Sequence, residues 1–137
     1  MMKNLFLLAL LFCIGCEDKA MVNIYHKDII KSPVPCLKLK VTPYEKEFAN
    51  VLKKLYHFQD NCTLVLEVSH KNDIQCNSSH NTAKNTPNTF PNSYLRMELR
   101  RGLDLQYSYY IDLHKKADEK NVIEGWERID RDLMIAR

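Results

Sequence analysis

The sequence predicts an α+β fold, a two-layer sandwich in which two amphipathic helices pack on one face of a mainly antiparallel sheet. Several segments alternate apolar and polar residues, as strands with one buried face do, and two others carry apolar residues at helical spacing. Each helix has to bury its apolar stripe, and a half-buried sheet offers one apolar face. Stacking the helices on that face buries both apolar surfaces. The length of 137 residues suits one such domain.

The first half of the domain reads as strand, helix, strand. Residues 37–41 alternate leucine or valine with lysine, which predicts a half-buried strand. A helix is expected next, because Thr42 can cap it, Pro43 suits its first position and Glu45 stands at the capping-box position. Over residues 62–69, Cys62, Leu64, Leu66 and Val68 occupy every second position, which predicts a second strand. The expected apolar stripe of the helix consists of Tyr44, Phe48, Val51, Leu52, Leu55 and Tyr56.

A long antiparallel hairpin is the strongest local prediction. Apolar and polar residues alternate through most of residues 95–113, in two runs separated by a short basic stretch. Matching the apolar faces of the two runs requires Leu99 to oppose Leu103. The remaining loop is then residues 100–102, with Gly102 free to adopt the left-handed conformation of a bulge.

The chain is expected to end in a second helix. Asp118 is a suitable N-cap, and the apolar residues that follow recur at helical spacing. Trp126 lies in the middle of that stripe, so we expect it to be buried against the sheet. Gly125 costs a helix interior about 1 kcal/mol relative to alanine. The stripe consists of Val122, Trp126, Ile129 and Leu133.

One disulfide is predicted, between Cys62 and Cys76, which leaves Cys36 free. The two cysteines flank a polar stretch, and a tight turn centred on Ser69 would place them opposite each other. A turn at residues 70–73 would instead place Cys76 beside Glu67. The alternative to a bond is that both thiols are small buried apolar groups. The polar, asparagine-rich residues 77–92 predict a mobile loop.

The N-terminus reads as an export signal. Ten apolar residues, 5–14, follow Lys3, and in a helix they would span only about 15 Å, half of the hydrocarbon core of a bilayer. We therefore divide the chain into a signal peptide (1–15), a lipid-proximal tether (16–35) and an α+β domain (36–137). The tether is expected to be extended because prolines interrupt its end.

The end of the signal resembles the lipobox of bacterial lipoproteins. The residues that carry the resemblance are Cys13, Ile14, Gly15 and Cys16. It implies that Cys16 is acylated, that the signal is cut before it, and that the protein is lipid-anchored in the cell envelope, facing the periplasm. Inner and outer membrane both remain open, and so does the alternative of an ordinary signal that releases an unlipidated secreted domain.

Several functional classes are not supported by the composition. The formal net charge is only +3 and the basic residues are scattered, so no nucleic-acid partner is expected. The sequence contains no phosphate-binding glycine loop and no recognisable catalytic motif, so we expect no cofactor and no enzyme activity, with a small periplasmic enzyme as the alternative. A loop cluster of His70, Asp73, Cys76 and His80 matches no structural zinc spacing, and we interpret these as solvated loop residues.

One surface of the predicted hairpin is a candidate docking face for an envelope protein. Tyr94, Arg96, Glu98 and Tyr110 fall on its polar side, and tyrosine and arginine are enriched at interfaces. The alternative is an ordinary solvated sheet face. The overall arrangement is similar to accessory lipoproteins of bacterial envelope machines, which implies a role in binding or assembly.

Overall fold

Five strands form one sheet, and two α-helices cover one of its faces, which confirms the predicted α+β sandwich. The structure is a computed structural model that describes residues 19–74 and 90–137. A 3-10 turn precedes the second strand and another precedes the first helix. The elements are β1 (Met21–Ile24), β2 (Lys38–Val41), α1 (Lys46–Leu55), β3 (Leu64–Lys71), β4 (Ser93–Arg101), β5 (Asp104–Leu113) and α2 (Glu119–Leu133), with 3-10 turns at Lys27–Ile30 and Pro43–Glu45.

The strand order is β1-β5-β4-β3-β2. Neighbouring strands are antiparallel except β2 and β3, which are parallel. Parallel neighbours cannot be joined by a tight turn, and here α1 makes the crossover between them. The sheet therefore combines a β-α-β unit of β2, α1 and β3 with the antiparallel hairpin of β4 and β5, and β1 pairs with the outer side of β5.

The core lies between the helices and one face of the sheet. As predicted, the stripe of α2 is buried, with Trp126 only 3% exposed and Ile129 fully covered. The Trp126 ring packs against Tyr56 and Phe58, with ring centroids 5.3 and 5.8 Å away. This aromatic cluster joins the end of α1 to the middle of α2.

Helix α2 begins and packs as its sequence indicates. The Asp118 carboxylate accepts a hydrogen bond from the Asn121 backbone N–H at 2.9 Å, and the Asn121 side chain accepts one from the Asp118 N–H at 3.0 Å. Gly125 lies so close to the sheet that a Cβ there would stand 2.6 Å from the Met97 sulfur. The glycine that lowers helix propensity thus permits close contact between helix and sheet.

The start of α1 differs from the prediction. Pro43–Glu45 is a 3-10 turn, and the α-helix begins only at Lys46. The tighter winding of that turn rotates Tyr44 out of the stripe, where it is 88% exposed, and turns Glu45 inward instead. The Thr42 hydroxyl contacts the Glu45 carboxylate, and neither side chain caps a helix N–H.

The hairpin register also differs from the prediction. Leu99 pairs with Tyr107 and not with Leu103, a shift of four residues. The shift is even, so each side chain that stays in the ladder keeps its face, and alternation alone does not distinguish the two registers. The longer pairing buries Tyr107 completely and leaves Leu103 99% exposed in a two-residue turn, where Gly102 has the expected positive φ of 61°.

A bulge near the turn changes the facing of one leucine. The pairing shifts by one residue between Leu99 and Arg100, so that Arg100 stands opposite Leu105. Leu105 was expected on the apolar face with Tyr107, but the extra residue breaks the alternation between them. Leu105 is consequently only partly buried.

The predicted tether is wrong for the described residues 19–35, which belong to the domain. Met21–Ile24 forms an edge strand on β5, and Ile29 and Val34 are buried in the core. Between its two flanking prolines, Val34 still donates a hydrogen bond to the Leu133 carbonyl at 3.3 Å. A four-residue edge strand with one neighbour needs no alternating pattern, which explains why the sequence pattern did not indicate it.

The predicted Cys62–Cys76 disulfide is also wrong, because Cys62 is bonded to Cys36, with the Cα atoms 6.0 Å apart. Each of the bonded residues comes shortly before one of the parallel neighbours β2 and β3, so the topology brings them together. Strand β3 continues to Lys71, which rules out the turn at Ser69 on which the prediction depended. Cys76 and residues 77–89 of the expected loop lie outside the described residues.

Candidate binding face on the open side of the sheet

The four residues of the predicted docking face lie together on one surface. Tyr94, Arg96 and Glu98 alternate along β4, and Tyr110 lies beside them on β5. Their side chains point away from α1 and α2, because the intervening residues of both strands are buried in the core. We call this surface, on the side of the sheet away from α1 and α2, the open face.

Two tyrosines form the aromatic part of the open face. The Tyr94 and Tyr110 rings are stacked, with centroids 5.5 Å apart and planes inclined by 26°. The Arg96 guanidinium lies over the Tyr94 ring, 6.0 Å from its centroid, at the outer limit of a cation–π contact. The result is a half-buried aromatic pair with one positive charge beside it, which we call the tyrosine patch.

Tyr110 is held in place at its polar end. Its hydroxyl donates a hydrogen bond to the Asp112 carboxylate at 2.7 Å. Partial burial, and then this hydrogen bond and the nearby negative charge, raise the pKa of Tyr110 to about 12. The phenol is therefore neutral at physiological pH and keeps its proton as a donor.

A row of alternating charges crosses the open face beside the tyrosine patch. The Arg100 guanidinium is 2.8 Å from the Glu98 carboxylate and 3.4 Å from that of Glu67. The row continues at one end to Lys40, 3.0 Å from Glu67, and at the other end to Arg96, 3.5 Å from Glu98. We call these five side chains on β2, β3 and β4 the charge row.

The charge row is ordered by its own contacts. The more buried of its two carboxylates, on Glu98, is only 12% exposed and lies between two guanidinium groups. The hydrogen bond from Arg100 to Glu98 raises the pKa of Arg100 above its ordinary value. Three cations and two carboxylates give the row a net charge of +1. Because these side chains are already held in place, a ligand would have less conformational entropy to remove on binding.

A buried polar pair lies away from the open face and was not predicted. The His70 Nδ1 atom is 3.3 Å from a Glu45 carboxylate oxygen, and both side chains are largely buried, at 16% and 6% exposed. The His70 ring also packs edge-on against Phe48, with centroids 4.9 Å apart. The interpretation of His70 as a solvated loop residue is therefore wrong. Its position inside β3 carries no distinctive sequence signal.

No metal site was predicted at the loop cluster of His70, Asp73, Cys76 and His80, and the structure describes only the first two of these residues. Among residues 19–74 and 90–137, no three histidine, cysteine or acidic side chains are grouped to hold a metal ion. Asp73 is exposed, with a positive φ of 54°, and lies 4.0 Å from the Lys116 ammonium. Cys76 and His80 lie outside the described residues.

One further polar cluster joins the two layers. The Tyr107 hydroxyl donates to the Asp132 carboxylate at 2.8 Å, and Arg128 donates to the same oxygen at 2.8 Å. Burial, and then the bond to Asp132, raise the pKa of Tyr107. The cluster therefore joins Tyr107 of β5 to Arg128 and Asp132 of α2.

Comparison with known proteins leaves the domain without a recognised relative. No family model matches the chain, and no curated protein or solved structure is significantly similar to it. No helix in the described residues is long and apolar enough to cross a membrane. The fold and the open face define a small α+β domain with a structured, mixed-charge and aromatic sheet surface.

Proposed function

We propose that this protein is a lipid-anchored component of the cell envelope that acts by binding, as an assembly accessory in the periplasm. The anchor is proposed from the lipobox-like residues Cys13 to Cys16, which lie outside the described residues. The binding role is proposed from the open face. The observation that carries it is the tyrosine patch, ordered beside the charge row on the open face.

The composition of the open face favours a protein partner. Stacked tyrosines offer a broad amphipathic contact, and they lose little conformational entropy because each ring is already held in place. Arg96 is 45% exposed and retains donors that its contact with Glu98 does not use. A matching partner would place an apolar or aromatic side chain over the tyrosines and a carboxylate near Arg96.

Photo-crosslinking in cells tests this proposal. A benzophenone amino acid at position 110 should yield a covalent adduct of one defined mass, because the open face is in contact with its partner there. The matched control is position 44, a second tyrosine, which is 88% exposed and lies at the start of α1. That position should yield no such adduct.

Charge reversal at the same surface sharpens the result. Arg96→Glu should abolish the adduct from position 110, because it removes the cation beside the tyrosine patch and repels a partner carboxylate. Equal adduct patterns from positions 110 and 44, or an adduct insensitive to Arg96→Glu, would identify the open face as an ordinary solvated surface.

A further inference from the structure

We propose that the exposed edge of β1 rests on the lipid bilayer, so that the sheet stands with this edge against the membrane. The β1 edge is defined by Met21, Ile24 and Tyr25. The proposal rests on the lipidation of Cys16 proposed above, but it does not depend on the docking role of the open face. Its occupant is the interfacial region of a phospholipid bilayer.

The short distance between anchor and domain is the first reason. Met21 begins β1 only five residues after Cys16. Whatever its conformation, a chain of that length spans at most about 18 Å. A domain of about 100 residues has a radius of gyration near 13 Å, so a tether this short holds the side that carries β1 next to the lipid headgroups.

The exposed apolar side chains along this edge are the second reason. Strand β1 is the first in the sheet order, so its outer side has no neighbouring strand within the described chain. Met21, Ile24 and Tyr25 are 57%, 39% and 54% exposed. Met21 opposes Tyr110 on the open face, and Ile24 opposes Tyr107 on the helix face, so exposed apolar side chains flank the edge on both sides of the sheet. The other large apolar side chains exposed in the described chain are scattered singly.

The charges around this edge indicate which force would hold it. Lys19 and Lys27 flank the edge, but Glu17 and Asp18 stand between the anchor and Lys19. These charges offset one another, so the contact depends on apolar side chains and on the interfacial preference of tyrosine. It should therefore persist at high salt, which screens charge but not apolar burial.

The orientation also concerns the open face. Met21 is the cross-strand neighbour of Tyr110, so the tyrosine patch begins beside the β1 edge. The opposite edge of the sheet is β2, four strand spacings or about 19 Å from β1. Tyr44 follows β2 in the chain and is 88% exposed. An exposed aromatic residue beyond the far edge of the sheet is a suitable control for non-specific contact with lipid.

Lipid-dependent fluorescence quenching tests the contact. Full-length protein, processed in cells, would be reconstituted into phosphatidylethanolamine–phosphatidylglycerol vesicles with brominated acyl chains. A bimane fluorophore would be attached to Met21→Cys, Tyr25→Cys or Tyr44→Cys, each in a Cys76→Ser background. We expect strong loss of fluorescence at positions 21 and 25, no loss at position 44, and the same values at high salt.

Vesicle flotation separates the possible failures. Protein that does not float with vesicles would contradict the lipid anchor and, with it, both proposals. Protein that floats but shows equal quenching at positions 21, 25 and 44 would contradict the β1 contact alone. Quenching at position 21 that disappears at high salt would also contradict the proposed apolar contact of β1 with lipid, because the contact would then be electrostatic.

Discussion

Replacing Trp126 by alanine is expected to lower the free energy of unfolding by about 3–5 kcal/mol. The indole is 3% exposed and packs against Tyr56 and Phe58, so truncation removes the contact that joins α1 to α2 and leaves a cavity. A typical domain is stable by only about 5–15 kcal/mol, so the loss is a large part of the total. Thermal unfolding followed by circular dichroism should show a midpoint lower by about 10–20 °C.

Two control variants distinguish packing from a general effect of substitution. Trp126→Phe keeps an aromatic ring beside Tyr56 and should cost clearly less than alanine. Leu103→Ala, at a side chain that is 99% exposed, should change the free energy of unfolding by less than about 0.5 kcal/mol. A Trp126→Ala midpoint equal to that of the wild type would contradict the aromatic packing of α2 against the end of α1.

Loss of the Cys36–Cys62 disulfide is expected to have the second largest effect on stability. The two residues are 26 positions apart, and the chain-entropy model assigns a bond across such a loop about 3–4 kcal/mol. Denaturant unfolding of the Cys36→Ser, Cys62→Ser double variant should show a loss of that size. Reduction of the wild type should have the same effect.

The disulfide pairing itself is checked by mass mapping of exported protein without reductant. A cross-linked peptide joining Cys36 to Cys62 is expected, together with a Cys76 that reacts with alkylating reagent. Cys76→Ser is the matched control and should leave the stability unchanged. A Cys62–Cys76 peptide would contradict the structure and restore the pairing inferred from sequence spacing.

The layers and faces of the fold could be predicted because they depend on local periodicity. The stripe of α2 and the alternation of β4 are properties of neighbouring residues, and both predictions are confirmed. The register of the hairpin depends on how far the two strands extend. A shift by an even number of residues leaves every side chain on the same face of the sheet. Alternation therefore pairs Leu99 with Leu103 as readily as with Tyr107, which is the observed partner.

The disulfide and β1 could not be predicted because they depend on long-range topology. Cys36 and Cys62 meet because β2 and β3 are parallel neighbours, and a pattern of cysteines alone does not contain that information. Residues 21–24 pair with a strand more than 80 positions later and bury no alternating face.

The candidate site was predicted in part. Tyr94, Arg96, Glu98 and Tyr110 share a face because alternation places them there. Tyr94 and Tyr110 are diagonal neighbours in the predicted register as well as in the observed one, which places Arg96 directly opposite Tyr110. The extension of the charge row to Glu67 and Lys40 also requires the pairing of β4 with β3, which sequence patterns did not indicate.

The central proposal, a lipid anchor at Cys16, leads to a direct measurement with a clickable fatty acid in cells. Acyl chains bind membranes by about 0.8 kcal/mol for each buried methylene, and two or more chains anchor a protein firmly. The wild type should therefore carry label and stay with membranes through a high-salt wash. Cys13→Ser is the matched control and should label normally, because Cys13 leaves with the signal.

Cys16→Ser should lose the fatty-acid label, and its signal should no longer be processed by the lipoprotein route. Without an acyl chain, any of this variant that is exported by another route should separate from membranes during the wash. Equal fatty-acid labelling of the wild type and Cys16→Ser would contradict the lipid anchor and favour an ordinary secreted domain.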